Sequence, residues 1–206
     1  MSTDKRTLAI VIGASEFPYC PTLGGGDAFS NSAEDFHGYL HDLKGLDLPP
    51  ADVLNLFDDR RTAGELLEQI DTFLIRRQGR KTSTKAEGLL VYYVGHGGFT
   101  PDGQEYFLAV RSTRSGLEGP TSIRMNDLGH VIKNNARFFC QYLILDCCFS
   151  AQAYKSFQAG PVEAAVAKIL DSVPTKGTAL LCSSGPKEAS LAPEGCAHPM
   201  FSEALL

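Results

Sequence analysis

A histidine and a cysteine, each at the end of an apolar run, are the residues of this 206-residue chain best placed for chemistry. Residues 88–94 form one apolar run, and His96 follows it between glycines; residues 138–145 form another, which leads into Asp146 and Cys148. A free cysteine thiol has a pKa of about 8.5 and the thiolate is the attacking species, so a nucleophilic cysteine needs a base or a cation beside it. If both runs are strands, their ends bring such a pair together.

The alternation of side chains along a strand distinguishes the two adjacent cysteines. If the extended conformation continues past residue 145, Asp146 and Cys148 share one side of the strand, and Cys147 points to the other side, into packing. The plain alternative is that Cys148 is a buried structural thiol and His96 a turn histidine. Their joint position at two strand ends favours the catalytic interpretation.

The elements that must position these residues alternate between strands and helices. Strands are predicted at residues 7–12, 52–57, 88–94, 138–145 and 177–182; helices at 29–44, 62–74, 125–134, 164–170 and 197–206; and a hairpin at 99–110 with its turn at 102–103. This order predicts a three-layer α/β/α sandwich with a mostly parallel sheet. In such sheets the ligand crevice lies beyond the carboxyl ends of the strands, where His96 and Cys148 fall.

Length and composition exclude several classes of protein. The net charge is −5 and no block of like charges occurs, which argues against nucleic acid or an anionic membrane as partner. No apolar run approaches the roughly 18–20 residues of a membrane span, and no secretory signal precedes the first strand. The six cysteines have no regular spacing, which favours a reducing, cytoplasmic setting.

Three patterns suggest a ligand but lack what the ligand requires, so no metal or cofactor is predicted. The glycines at 24–26 are followed by no Gly-Lys-Ser/Thr, which a phosphate loop needs. His37 and His41 lie four apart on a predicted helix, but no third zinc ligand accompanies them. Asp102 and Glu105 offer too few oxygens for calcium, which takes six to eight.

Several segments together resemble the metacaspases, members of the caspase-like clan of cysteine peptidases (peptidase C14). Residues 93–97 resemble their Ser-Gly-His-Gly segment, and residues 146–151 resemble their Asp-x-Cys-His-Ser-Gly box. Residues 7–13 are similar to the first strand of the family, residues 32–40 to its Asn-Asp-Ala helix, and residues 198–206 to its Gly-x-Phe-Thr-x-Ala-Leu segment. The resemblance extends from residue 7 to the end, and the spacing of His96 and Cys148 suits the clan.

The resemblance implies an organisation as well as a fold of caspase-haemoglobinase type. Residues 1–206 are expected to form a single peptidase domain, with a large-subunit-like part at about 1–151 and the start of a small-subunit-like part at about 175–206. Members of the clan have one more strand and helix after this point, so we expect the chain to be truncated and a further domain or partner chain to follow. In bacteria such domains are often one part of a larger protein, so the resemblance also implies the effector domain of a bacterial signalling or defence protein.

The resemblance also assigns roles to individual residues of a cysteine endopeptidase that acts on protein or peptide. Cys148 is the nucleophile, His96 the base and then the acid, and the backbone N–H groups of Gly97 and Cys148 form the oxyanion hole. Asp146 lines the S1 pocket and pairs with an Arg or Lys at P1. The alternative for Asp146 is a carboxylate that binds backbone amides at the strand end.

The sequence departs from the family pattern at two positions. The second acid of the S1 pocket is expected on the Asn-Asp-Ala helix, where Ser32 stands, and Asp27 or Asp35 could replace it. The residue after the cysteine is Phe149 rather than the usual His or Arg.

Self-cleavage is the last expectation. Residues 152–161 lie where caspase-like enzymes are cut into two parts, and Lys155 is the basic residue there. The alternative is that residues 151–157 form a packed helix with Lys155 on its solvated face. Two other functions stay open for the chain: a caspase-like protease of the CHAT type with different specificity, and a catalytically idle scaffold.

Overall fold

A computed structural model describes residues 6–78, 86–100, 105–149, 178–183 and 196–206. These ranges contain the strands β1 (Arg6–Gly13), β2 (Val53–Phe57), β3 (Ala86–Phe99), β4 (Tyr106–Leu108), β5 (Ile123–Arg124), β6 (Cys140–Phe149) and β7 (Thr178–Cys182). They also contain the helices α1 (Asp27–His41), α2 (Ala63–Gln78), α3 (Glu118–Thr121), α4 (Met125–Ala136) and α5 (Met200–Leu205). No helix within them is long and apolar enough to cross a membrane.

The strands form one mostly parallel sheet. Five strands pair in parallel in the order β2-β1-β3-β6-β7. The pairing of β3 with β1 ends at Val94, and the last residues of β3 pair with the antiparallel strand β4, which in turn pairs with β5. Two predictions, the mostly parallel sheet and the hairpin after the histidine strand, are therefore confirmed; the turn at 102–103 lies outside the described residues.

Helices cover both faces of the sheet, which gives the three predicted layers. On one face, α1 packs its apolar positions against β1, β3 and β6, forming a cluster of Phe29, Ala33, Phe36 and Leu40 with Val11, Leu90, Tyr92, Val94 and Ile144. On the other face, α2 and α4 enclose a second cluster that includes Leu66, Ile70, Leu74, Leu128 and Ile132 with Ile10, Leu89, Val91, Leu143 and Leu145. We call these the α1-side cluster and the α2/α4-side cluster. Because every second residue of the central strands joins the same cluster, the strands are apolar on both faces.

Helix α2 begins where the sequence predicts it. The backbone N–H of Thr62 donates to Oε2 of Glu65 at 2.8 Å, and the backbone N–H of Glu65 lies 3.4 Å from Oγ1 of Thr62. These reciprocal contacts are a capping box, which supplies partners for N–H groups that a helix start leaves unbonded.

The two central strands differ in their bounds from the sequence prediction. Strand β3 continues through the glycines to Phe99 because β4 supplies a new pairing partner beyond Val94. Strand β6 begins at Cys140, where its pairing with β3 starts, and Phe138 precedes it at the surface with 79% of its area exposed. The extended conformation does continue through Cys147 and Cys148 to Phe149. The predicted helix at 164–170 lies outside the described residues.

Candidate active site

The sheet register brings the backbones of His96 and Cys148 side by side. In the parallel pairing of β3 with β6, His96 is opposite Cys148 and Val94 is opposite Asp146. Both positions lie near the carboxyl ends of their strands, as the sequence predicts. The side chain of Cys148 is outside the described part of the structure, as is Lys155.

The ring of His96 is enclosed by two aromatic side chains. Phe17, from the loop after β1, and Phe29, from the first turn of α1, each place a ring centroid 5.2 Å from the imidazole. The backbone carbonyl of His96 accepts hydrogen bonds from the hydroxyl of Tyr93 at 2.6 Å and from the N–H of Ala109 at 2.8 Å. Only 9% of the residue is exposed. Contacts to both the backbone and the side chain of His96 thus hold this residue in place.

This burial changes the chemistry of His96. Loss of water around the ring lowers the pKa of His96 to about 4, and a hydrogen bond with the backbone of Gly24 acts in the opposite direction. Nδ1 has no hydrogen-bond partner among the described residues. At neutral pH the imidazole is therefore uncharged and has one nitrogen available to accept a proton.

The glycines beside His96 are required for two different reasons. Gly95 has φ +148°, which residues with a side chain rarely adopt. At Gly97 an added Cβ would lie 2.1 Å from the hydroxyl oxygen of Tyr106, so this position has no room for a side chain. The space over Gly97 is thus taken by Tyr106 of β4, a contact that the sequence analysis did not predict.

Asp146 is in contact with α5. Asp146 is only 1% exposed, and the hydroxyl of Ser202 donates a hydrogen bond to its Oδ2. The Ser202 oxygen also lies 2.7 Å from the hydroxyl oxygen of Tyr92. Burial raises the pKa of Asp146, while hydrogen bonds from Ser202 and Ser183 act in the opposite direction. Ser202 was missed in the sequence analysis, although it occupies the hydroxyl position of the segment that resembles Gly-x-Phe-Thr-x-Ala-Leu.

The candidates for a second pocket acid lie in different surroundings. Ser32 is fully buried on α1, and Asp27 starts that helix at the surface. The carboxylate of Asp35 lies 2.7 Å from Nε2 of His198, so it is occupied by an ion pair in this structure.

The other residues considered in the sequence analysis have local partners. Cys147 is buried in the α2/α4-side cluster, the side predicted for it. Nδ1 of His41 lies 2.8 Å from the carbonyl oxygen of Leu48, and Glu105 pairs with Arg124 at 3.3 Å. Within the ranges that the structure covers, no group of three His, Cys, Asp or Glu side chains could hold a metal ion.

Comparison with solved structures identifies this architecture. Caspase-1 from Spodoptera frugiperda superimposes with a TM-score of 0.64 at 14% sequence identity, covering 100% of this chain and 69% of the caspase chain. The fold is caspase-like. Protein GSU0716 from Geobacter sulfurreducens superimposes with a TM-score of 0.61 at 16% identity, covering 97% of this chain and 80% of its own. No family model and no curated protein matches the sequence.

Proposed function

We propose that this chain is a cysteine endopeptidase of the caspase-like clan, in which Cys148 and His96 form the catalytic dyad. The observation that carries the proposal is the β3–β6 register, which sets the two backbones opposite each other at the carboxyl edge of the sheet. Among the described residues Nδ1 of His96 has no hydrogen-bond partner, which supports the proposal because a general base needs a nitrogen free to accept the proton.

The low pKa of His96 favours a mechanism that begins with an uncharged pair. As the sulfur of Cys148 bonds to the scissile carbonyl carbon, His96 accepts the thiol proton. The imidazolium then donates this proton to the leaving nitrogen while the C–N bond breaks, which leaves a thioester. His96 next takes a proton from water as the water oxygen bonds to the thioester carbon. The C–S bond then breaks, the new carboxylic acid leaves, and the imidazolium returns its proton to the sulfur of Cys148. The hydrogen bond with Gly24 offsets part of the cost of each buried imidazolium.

The tetrahedral intermediate needs hydrogen-bond donors at its oxygen. The backbone N–H groups of Gly97 and Cys148 are the donors we assign, since both belong to the strand ends that carry the dyad. One such donor contributes on the order of 2.7–4 kcal/mol to the transition state in a well-studied hydrolase.

For specificity, we assign Asp146 to the S1 site and expect cleavage after Arg or Lys. A buried carboxyl with a raised pKa gains most from a cationic partner, because the cation offsets the burial that disfavours its charged form. A charge-assisted hydrogen bond to a guanidinium or ammonium group would satisfy it. The natural setting proposed for this activity is one domain of a larger bacterial signalling or defence protein, with self-cleavage after Lys155.

A panel of fluorogenic peptides that differ only at P1 tests the dyad and the pocket together. We expect turnover of Arg and Lys peptides by the parent and loss of turnover in Cys148→Ala. Cys147→Ala is the matched control, because that side chain packs in the α2/α4-side cluster, and it should keep most of the activity. Asp146→Asn should lower kcat/KM for basic peptides by roughly 10- to 150-fold, the range that a hydrogen bond to a charged group contributes.

Three outcomes would contradict parts of the proposal. Equal loss of activity in folded Cys147→Ala and Cys148→Ala would reject the assigned nucleophile. A preference for Asp at P1 would reject the assigned pocket. No turnover of any peptide would favour the idle scaffold.

A further inference from the structure

Helix α5 is attached to α1 by a small set of polar contacts. Nε2 of His198 lies 2.7 Å from Oδ2 of Asp35 on α1, and Nδ1 lies 2.8 Å from Oε2 of Glu203 on α5. The side-chain amide of Asn31 on α1 donates to the carbonyl of Ala197 at 2.9 Å. These contacts hold the residues just before α5 against α1.

The geometry around His198 requires a charged ring. Both imidazole nitrogens face carboxylate oxygens, which only accept hydrogen bonds, so both nitrogens must carry a proton. Asp35 and Glu203 are the charged groups that face His198 within the described structure. Their hydrogen bonds and charges raise the pKa of His198.

The same short helix covers the carboxyl of Asp146. Ser202 donates to Asp146 on one side and meets the hydroxyl of Tyr92 on the other, while Phe201 packs against the α1-side cluster. With 1% of the residue exposed, Asp146 cannot meet a substrate side chain while α5 stays in this position.

We propose that α5 is a pH-sensitive cover over Asp146: Ser202 occupies the carboxyl, and the ion pairs of His198 with Asp35 and Glu203 hold the helix in place. A basic substrate side chain reaches Asp146 only after α5 withdraws. The inference rests on the proposed function, because it takes Asp146 as the specificity residue of a peptidase.

The sign of the pH effect follows from the charge on His198. A histidine whose folded pKa is raised contributes its full stabilisation below its ordinary pKa of about 6.5 and loses it as the pH rises through the raised value. The cover is therefore held most strongly at mildly acidic pH, and it is held less strongly as the pH rises.

Two variants that remove the ion pair to α1, His198→Gln and Asp35→Asn, test the cover. The kcat/KM of each for an Arg peptide should exceed that of the parent by roughly two- to fivefold at pH 6, the range that exposed ion pairs contribute. Because the parent loses the same contact at alkaline pH, the ratio of variant to parent should approach one there. His130→Gln, a change at an exposed histidine of α4, is the matched control and should leave the ratio near one throughout.

Hydrogen exchange gives a second measurement that does not depend on catalysis. After correction for intrinsic rates, amides of residues 196–206 should exchange faster in His198→Gln than in the parent at pH 6, and at similar rates at alkaline pH. Lower activity or unchanged kcat/KM in both variants of an active parent would overturn the cover, and unchanged exchange would overturn the role of His198. A parent as inactive as Cys148→Ala would instead reject the proposed function, while the exchange data still decide whether His198 holds α5.

Discussion

At the scale of single residues, the surroundings of His96 determine what the candidate dyad can do. Two phenylalanine rings and the end of β3 enclose the imidazole, so its neutral form prevails far below the ordinary pKa of histidine. A neutral base is ready to accept a proton, but the cation formed during the reaction is disfavoured. The enclosure therefore keeps His96 able to act as a base at acidic pH, but it destabilises the imidazolium that forms during the reaction.

This enclosure predicts the acidic limb of the pH profile. In His198→Gln, which lacks the pH-dependent ion pairs of α5, kcat/KM should hold through pH 5 and decline near pH 4, where His96 becomes protonated. Phe17→Ala should let water reach the ring and move the limb toward pH 6.5, because burial is the main cause of the low pKa. Tyr19→Ala, at an exposed site in the same loop, is the control and should leave the limb in place. A limb near pH 6.5 in His198→Gln that still carries Phe17 would refute the assigned role of burial.

At the scale of elements, strand β3 carries the candidate base by changing partners along its length. Up to Val94 it pairs with β1, and from Gly97 it pairs with β4, while β6 follows it from Gly88 to Gly97. Because β3 has β6 on one side and β1 or β4 on the other, its backbone has little freedom to move. Gly97 is the point at which this arrangement has the least space.

Substitution at Gly97 should therefore be costly. In Gly97→Ala, the new methyl group would overlap the Tyr106 hydroxyl, and we expect a loss of about 1–3 kcal/mol in the free energy of unfolding. Tyr106→Phe in the same chain should recover part of the loss by removing the oxygen. Gly64→Ala is the control: it lies in α2 with no atom near the added Cβ, and it should gain about 0.5–1 kcal/mol. Urea denaturation measures all three, and equal stability of Gly97→Ala and the parent would contradict the expected overlap.

Much of the arrangement of strands could be predicted from the sequence, and there is a physical reason why the rest could not. The apolar runs before His96 and Asp146 predict parallel strands, and parallel strands place their carboxyl ends at one edge, so the convergence of the two positions follows. The glycines after His96 lack any apolar pattern, and they are part of a strand because β4 pairs with residues 97–99 and β6 pairs with Gly97. The contact of Ser202 with Asp146 joins residues 56 apart in sequence, and no local pattern encodes such a pairing.

At the scale of the whole molecule, the buried apolar side chains of the sheet are divided between two clusters on its opposite faces. On the α1 side, the buried polar groups of Tyr92, Asp146 and Ser202 form a connected network. Titration of groups on this side therefore contributes to the stability of the fold as well as to the chemistry.

Stability should consequently depend on pH through His96. Its pKa is about 4 in the folded chain and about 6.5 when unfolded, so the unfolded state binds more protons between these values. Stability from this group is thus lost as the pH falls from 6.5 to 4, by up to about 3 kcal/mol. Asp146, with a raised pKa, acts in the opposite direction over its own range. The difference between the parent and His96→Gln, measured by urea denaturation across this range, cancels the shared groups, and a difference that does not vary with pH would contradict the prediction.

Two thiols are buried in the part of the chain whose side chains are described, and their reactivity reports local opening of the structure. Cys20 lies beside Phe17 in the small cluster under the loop that encloses His96, and Cys147 lies in the α2/α4-side cluster. A pulse of alkylating reagent on Cys148→Ala, resolved by peptide mass, measures how often each of the two clusters exposes its thiol to solvent. Because the two thiols lie in different clusters, the same pulse distinguishes opening of the loop around Cys20 from opening of the core around Cys147. It needs no dye and no added labelling site.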